Sequence, residues 1–433
     1  MIHDLEKARA AFMEGVTHFQ AGRFGDAEKR FDEALGAAPE RASILVNLGS
    51  ARLQLGRPAE ALDVLERAVA IAPGDADAWS YRGVALADLR RPEAAVASHA
   101  RALEIDPDRA LDLFHRALAL NMLGRHAEAL GDLEAVLELR PADAEAWFRH
   151  GQTLQFLDRH PEALASYERA LAIDPGHAQA WSNRGGILRD VKRLDEAARS
   201  FEQAIAHGAD AELHRYFLAA VRDEPAPAQA PAAHVEALFD HYARSFDEHL
   251  LEALRYDAHA VLVDGLVGLG SRWFSHALDL GCGTGLCGPL VRPYVERLDG
   301  VDLSAGMLER ARATGAYREL IRSDLAEHLL RTGERHDLVL SADVFIYVGD
   351  LAGVFAGVRR VLQAGGLFCF SVELAAAEHA FELRPSLRYA HGEPYLRRLA
   401  EANGFLLRRR LGGPIRQEQG APVEGLFMYL EKR

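Results

Sequence analysis

Apolar and polar positions follow a helical period through the first half of this chain, in short runs that break at regular intervals. Ala27, Ala61, Ala95, Ala129, Ala163 and Ala197 recur at a spacing of about 34 residues, the signature of stacked helix pairs. Gly15, Gly49, Gly83, Gly151 and Gly185 keep that spacing, with Ala117 at the remaining position. So do Pro39, Pro73, Pro107, Pro141 and Pro175, and also Trp79, Trp147 and Trp181. Phe31, Leu65, Leu133, Tyr167 and Phe201 form a last series, in which His99 is the exception. Each series has a physical reading. Gly or Ala falls where the two helices of a pair cross, because a larger side chain would force them apart. The Trp and the Phe/Leu/Tyr series fill the seam between neighbouring pairs, and Pro stops each second helix. One pair cannot bury its apolar face alone, so the pairs must stack.

These positions, in register from residue 8 to about 209, resemble the tetratricopeptide-repeat family, with six repeats and a capping helix near Ala211 to Arg222. The resemblance implies a concave groove that presents the first helix of each repeat to a peptide or protein. Asn47, Tyr81, Phe114, Arg149, Gln152, Asn183 and Arg189 are the groove candidates. They are polar and aromatic, without the regular Lys/Asn pattern that family members use to clamp a terminal carboxylate. Self-association, giving a homo-oligomer or scaffold, is the alternative role.

Glu224 to Ala233 alternates Pro with Ala, which favours an extended, poorly packed segment. It divides the chain into a helical array at 1–222, a linker at 223–235 and a second domain at 236–433. Strand-like runs follow at His276–Leu280, Arg297–Val301, Glu319–Arg322, Asp337–Ser341, Leu367–Val372, Phe405–Leu411 and Gly425–Leu430. Helical patterns separate the earlier ones, as in a mostly parallel sheet covered on both faces. The last two have none between them and are expected to pair as an antiparallel hairpin. The fold class is an all-α solenoid followed by a seven-stranded Rossmann-like α/β domain.

The first of these strands runs into Gly281-Cys282-Gly283-Thr284-Gly285, and Asp302 ends the second. Glycines let backbone approach a ligand, and a carboxylate one strand over suits ribose hydroxyls. Gly283 to Gly288 also satisfies the G-x-G-x-x-G pattern of dinucleotide sites. Three features decide against that reading. Asp279 stands inside the strand, where a dinucleotide site has an apolar residue. The domain is too short for two mononucleotide halves and a substrate domain. Its strand pattern, with a terminal hairpin, suits a sheet serving one cofactor. With Val301-Asp302-Leu303-Ser304 the segment resembles class I S-adenosylmethionine-dependent methyltransferases, over about residues 237 to 433.

That resemblance implies S-adenosylmethionine as cofactor and S-adenosylhomocysteine as product. Asp279, Gly281, Cys282 and Gly283 would line its methionine part and Asp302 its ribose. Leu303 and Met307 would pack on the adenine, with Ser323, Asp324 and Leu325 at its amino group. Ala342 and Asp343 would approach the sulfonium. Tyr242 and Phe246 sit on an amphipathic helical run from Phe239 to Leu250, and similar methyltransferases use such a helix as a lid. Tyr347, Glu373, Tyr389, His391 and Tyr395 are candidates for substrate contact, with Glu373, His391 and Tyr347 the catalytic choices. A general base is needed only for a protonated acceptor, and His391 alone among them titrates near neutrality unaided.

Composition adds exclusions. A formal net charge of -14 argues against a nucleic-acid backbone as partner. Cys282, Cys287 and Cys369 lack zinc-site spacing and cannot make a disulfide framework, so they are expected to be structural. With neither a signal-peptide core nor an apolar run of membrane length, the expectation is a cytoplasmic protein without a membrane partner.

Overall fold

The computed structural model describes residues 2–222, 224–242, 256–270, 272–418 and 421–433. They form two compact units, Met1–Ile187 and Leu188–Arg433.

In the first unit, helix pairs follow one another as the period predicts: Ile2–Gln20 with Phe24–Ala37, Ala42–Gln54 with Pro58–Ile71, Ala76–Asp88 with Pro92–Ile105, Ala110–Met122 with His126–Leu139, and Ala144–Phe156 with His160–Ile173. A Cβ on Gly15, Gly49, Gly83 or Gly151 would stand between 2.5 and 2.7 Å from the side chain of Phe31, Leu65, His99 or Tyr167. The Phe/Leu/Tyr series therefore lies inside each pair, against its own glycine, and not in the seam that its spacing suggested. The seam belongs to tryptophan. Trp79, Trp147 and Trp181 donate from Nε1 to the carbonyls of Pro73, Pro141 and Pro175, at 2.9, 3.0 and 2.9 Å, which ties each first helix to the end of the preceding pair. His99 breaks its series because the next pair supplies a buried acid: its Nδ1 lies 2.7 Å from Asp112 Oδ1, and Arg109 Nε donates to Asp112 Oδ2 at 2.7 Å. One further series appears only in three dimensions. Gly22, Gly56, Arg90, Gly124 and Asp158 close the turns within successive pairs in the left-handed conformation, at φ between +56° and +72°.

The second unit opens with helices Leu194–Ala206 and Ala211–Val221. The segment that follows is extended, as its Pro and Ala predict, but it is packed. Tyr389 Oη donates to Pro227 O at 2.8 Å, Gly349 N to Ala228 O at 2.8 Å and Ala230 N to Tyr347 O at 2.9 Å. Ala226 and Ala230 join a cluster with Tyr216, Tyr347 and Tyr389.

Beyond helices Ala232–Tyr242 and Ala258–Val267 lies one sheet: β1 (Phe274–Leu280), β2 (Val295–Asp302), β3 (Glu319–Arg322), β4 (His336–Ser341), β5 (Leu362–Leu374), β6 (Phe381–Leu383), β7 (Tyr389–His391), β8 (Phe405–Glu418) and β9 (Ala421–Lys432). Its path is β3-β2-β1-β4-β5, parallel throughout, with β9 antiparallel on β5 and β8 antiparallel on β9. All seven expected strands form. Two more, β6 and β7, were not expected. β7 pairs with Glu373 and Leu374 of β5, past Phe370, where β4 has ended. Alternation buries both faces of the sheet: Leu278, Val339 and Phe368 pack on one side, Ala277, Leu338 and Cys369 on the other. Among the described residues no helix is long and apolar enough to cross a membrane.

Candidate active site

The carboxyl ends of β1, β2 and β4 open on a cavity of about 320 Å³. Strand β1 delivers Asp279 one residue before its end, and the chain then folds back on β2, with Gly281 N and Cys282 N donating to Val301 O at 2.8 and 3.0 Å. Gly281 and Gly283 take φ of +70° and +53°, which a side chain would strain. That turn aims the Gly283 amide at Asp302 Oδ2 (2.9 Å), while Ser304 N donates to Asp302 Oδ1 (2.9 Å). The acid at the end of β2 is thus oriented on the cavity wall by backbone alone.

Asp279 is 1% exposed and, among the described residues, its side chain accepts one hydrogen bond, from Tyr317 Oη at 2.7 Å. Tyr317 reaches it through a slot of glycines: a Cβ on Gly288 or Gly300 would stand 2.7 or 3.0 Å from its ring. Burial, with the Asp302 charge adding to it, pushes the Asp279 carboxyl up to about 7 against the effect of the Tyr317 bond. A buried carboxylate with a neutral donor gains from a cation beside it, and the ammonium of a methionine-like group is one. The residues present therefore fit S-adenosylmethionine: an ammonium at Asp279, ribose hydroxyls at Asp302, and an adenine between Leu303, Met307, Ser323, Asp324 and Leu325, all of which line the cavity. Asp324 also caps the helix Leu325–Arg331, its Oδ1 accepting from Ala326 N and Glu327 N.

Ala342 and Asp343 line the cavity next to the glycine turn, and Val344 packs on Gly281. Asp343 adopts φ +57°, a conformation costly for a non-glycine residue. Both of its oxygens accept from Arg416 Nη1 at 3.1 Å. Arg416 arrives from β8, is 2% exposed, and spends Nη2 on Glu373. Arg388, beside β7, also lines the cavity and donates from Nη1 to Glu418 at 3.0 Å.

Of the expected catalytic residues, Tyr347 lines the cavity, with Phe239 edge-on to its ring at 5.4 Å. Glu373 and His391 do not. Glu373 is 1% exposed, with its oxygens taken by Arg416 and by Arg384 at 3.0 Å. His391 is fully buried, its Nε2 donating to the carbonyls of Val348 and Gly349 at 2.9 and 3.0 Å, and burial lowers its pKa to about 4. Both hold β5 and β7 in place, and neither is a base facing the cavity. Tyr389 is spent on Pro227, and Tyr395 donates to Asp350 at 2.9 Å.

Phe246 and the side chain of Tyr242 lie outside the described residues. The described helix Ala232–Tyr242 supplies Val235, Leu238 and Phe239 to the cavity, and Ser304 Oγ donates to its Asp240. Sequence reasoning missed Gln229, Tyr256, His259, Arg388 and Arg416, all on the cavity wall. His259 stacks on Tyr256 at 5.3 Å, and burial lowers its pKa. No motif marks any of the five.

The expected groove residues Asn47, Tyr81, Phe114, Arg149 and Asn183 are half-buried on first helices. Arg149 is engaged by Glu145 and Gln152, and Asn183 by Tyr167. Arg189, in the second unit, donates to Asp190 at 2.7 Å. All three cysteines are buried and free.

Comparison with known proteins follows the same division. A family model described as tetratricopeptide repeat matches residues 12–76, 72–110 and 148–212, and one described as methyltransferase domain matches 278–370. A malonyl-[acyl-carrier protein] O-methyltransferase of Serratia marcescens is 32% identical over 149 residues, 33% of this chain and 56% of the relative. The arginine-hydroxylase NDUFAF5 of Danio rerio is 32% identical over 124 residues, 28% of this chain and 38% of the relative. The chain thus spans about half or less of these curated relatives. Among solved structures, MamA from Desulfovibrio magneticus RS-1 is 23% identical with a TM-score of 0.37, over 38% of this chain and 94% of that one. The chain therefore joins tetratricopeptide repeats to a class I methyltransferase domain.

Proposed function

We propose that this chain is an S-adenosylmethionine-dependent methyltransferase whose repeat array recruits a peptide or protein acceptor. The observation that carries the first part is the pair of acids on one cavity wall: Asp302, oriented by the amides of Gly283 and Ser304, and Asp279, buried with one donor. When bound, the cofactor supplies a methyl group on a positively charged sulfur. The chain supplies alignment and electrostatics. Asp302 fixes the ribose, Asp279 the ammonium, and Tyr347 with Phe239 shields the neighbouring wall from water.

The recruitment part rests on the half-buried Tyr81 and Phe114 of the first helices, beside which Asn47, Arg149 and Asn183 are bonded to neighbours within the array. The name of the Serratia relative, whose acceptor is carried on a protein, supports it. A small-molecule acceptor, with an array that serves assembly, is the other reading.

Calorimetry with S-adenosylmethionine tests the first part. Asp302→Ala should weaken binding by about 10²-fold, since each charge-assisted hydrogen bond lost costs roughly 1.5–3 kcal/mol. If the intact chain does not bind the cofactor, the proposal fails. Formation of S-adenosylhomocysteine separates methyl transfer from the hydroxylation for which the Danio relative is named. For the array, Tyr81→Ala with Asn47→Ala should raise KM for a protein acceptor and leave cofactor affinity alone. Unchanged KM would leave the small-molecule reading.

A further inference from the structure

Across the second unit, arginines answer acids: Arg318 pairs with Asp299, Arg384 with Glu373, Arg388 with Glu418 and Arg410 with Glu393. Four cations at the edge of the sheet opposite the cavity do not. Strands β4 and β5 begin there, and the antiparallel β9 ends there. Arg335 immediately precedes β4, Arg359 and Arg360 lie in the last turn of the helix Ala352–Val361, and Lys432 closes β9. All four donate to main-chain carbonyls. Lys432 Nζ donates to Arg359 O at 2.7 Å and to Leu362 O at 2.6 Å, and Arg335 Nη1 donates to the neighbouring Arg360 O. Arg360 donates from Nε to Leu329 O at 2.9 Å and from Nη2 to Thr332 O at 2.8 Å, and Arg359 Nη1 donates to Asn403 O. Among the described residues none of the four has an acid as ion-pair partner. Acids beside them are engaged elsewhere: Glu327 with Arg331 at 2.6 Å, Glu431 with Arg408 at 3.3 Å, and Glu334 towards His276 at 3.8 Å. The crowding is felt at Lys432, whose pKa is lowered by burial and then by the charges of Arg359 and Arg335.

Carbonyls at three helix ends explain where these cations sit but not how many there are. The carbonyls belong to the ends of the helices Leu325–Arg331, Ala352–Val361 and Glu393–Ala402. Each helix end carries roughly half a negative charge, so four cations leave a surplus of at least about two positive charges. Arg335, Arg359 and Arg360 are exposed, and a guanidinium has more N–H donors than these bonds use.

We propose that Arg335, Arg359, Arg360 and Lys432 form a binding site for a phosphate monoester, on the edge of the sheet away from the methyl-transfer cavity. A dianion matches the surplus, whereas one carboxylate would leave part of it uncompensated. Guanidinium forks suit phosphate oxygens held in pairs, and the ammonium adds a point charge. Arg335 and Lys432 converge on adjacent carbonyls of one helix end, so the cluster is a point and not a track. That geometry suits a single phosphate group and not a nucleic-acid backbone.

The test is calorimetric titration of the full chain at low ionic strength. Glycerol phosphate and a capped phosphoserine tripeptide are the probes, with glycerol and the unphosphorylated tripeptide as controls. Binding of a phosphorylated probe and not of its control supports the site, and the tighter of the two probes says whether the monoester is free or carried on a protein. Arg335→Gln with Arg359→Gln should weaken that probe by at least about tenfold, the scale of a lost charge-assisted contact. Arg335→Lys with Arg359→Lys keeps the charge without the forks and should lose less. Arg408→Gln with Arg410→Gln removes two arginines that acids already hold, and should bind as the unaltered chain does. Circular dichroism checks that each variant is folded. Absence of binding by both phosphorylated probes, a normal affinity in the Arg335→Gln, Arg359→Gln chain, or an equal loss in the Arg408→Gln, Arg410→Gln chain overturns the proposal. None of these outcomes touches the methyltransferase reading, which stands on cofactor binding at the other edge of the sheet.

Discussion

Asp279 sets a proton in the path of cofactor binding. Its carboxyl, at about 7, is mostly protonated at pH 6, and an ammonium placed against it favours the charged form. Binding of S-adenosylmethionine at pH 6 should therefore release about one proton, read from calorimetry in buffers of different ionisation enthalpy. The release should fade by about pH 8.5 and vanish at both values in Asp279→Asn. The same shift affects the empty protein. Its folded-state pKa lies above the unfolded value, so the contribution to stability is full below about pH 4 and is lost as pH rises through about 7. At this scale the sequence was legible where an acid interrupts an apolar run, as at Asp279 and Asp302. It was opaque at Arg416, which sits in the hairpin with no motif around it and meets its partner Asp343 only across 73 positions of sequence.

The turns within the repeats show what an element hides. Gly22, Gly56 and Gly124 share their left-handed conformation with Arg90 and Asp158, so two of these five turns lack the residue type the others share. A side chain there costs about 1–2 kcal/mol, and glycine returns part of that gain through the entropy of the unfolded chain. Arg90→Gly combined with Asp158→Gly should thus raise stability by about 1–2 kcal/mol and the melting temperature by roughly 3–6 °C. A fall on thermal scanning would show that the two side chains make compensating contacts. Strand legibility followed length. The seven longer strands announced themselves by alternation or continuous apolar character, whereas Phe381–Leu383 and Tyr389–His391 are too short to show any period. Arg388, which lines the cavity, immediately precedes the second of them, so it stood beside an element too short to be read.

Over the whole molecule, the Pro- and Ala-rich segment looked like a place to cut. Composition speaks for backbone extension and is silent on what covers it, and here Tyr216, Ala226 and Ala230 cluster with Tyr347 and Tyr389. A chain beginning at residue 188 should bind cofactor like the full protein. One beginning at residue 232 loses the Tyr216 contacts and the strap, about 3–5 kcal/mol by the cost of emptying such a site. Its melting temperature should fall by about 10 °C. Equal melting of the two would show that the strap is dispensable.

The tryptophan-to-proline ties of the repeats have an optical consequence. Of the four tryptophans, Trp79, Trp147 and Trp181 lie in the first unit with their indole N–H groups held, while Trp273, in the second, is 61% exposed. Intrinsic fluorescence of the unlabelled protein is therefore weighted towards the repeats. A red shift on heating or on adding a partner would mark the opening of a seam between pairs, against a background from Trp273 that is already red.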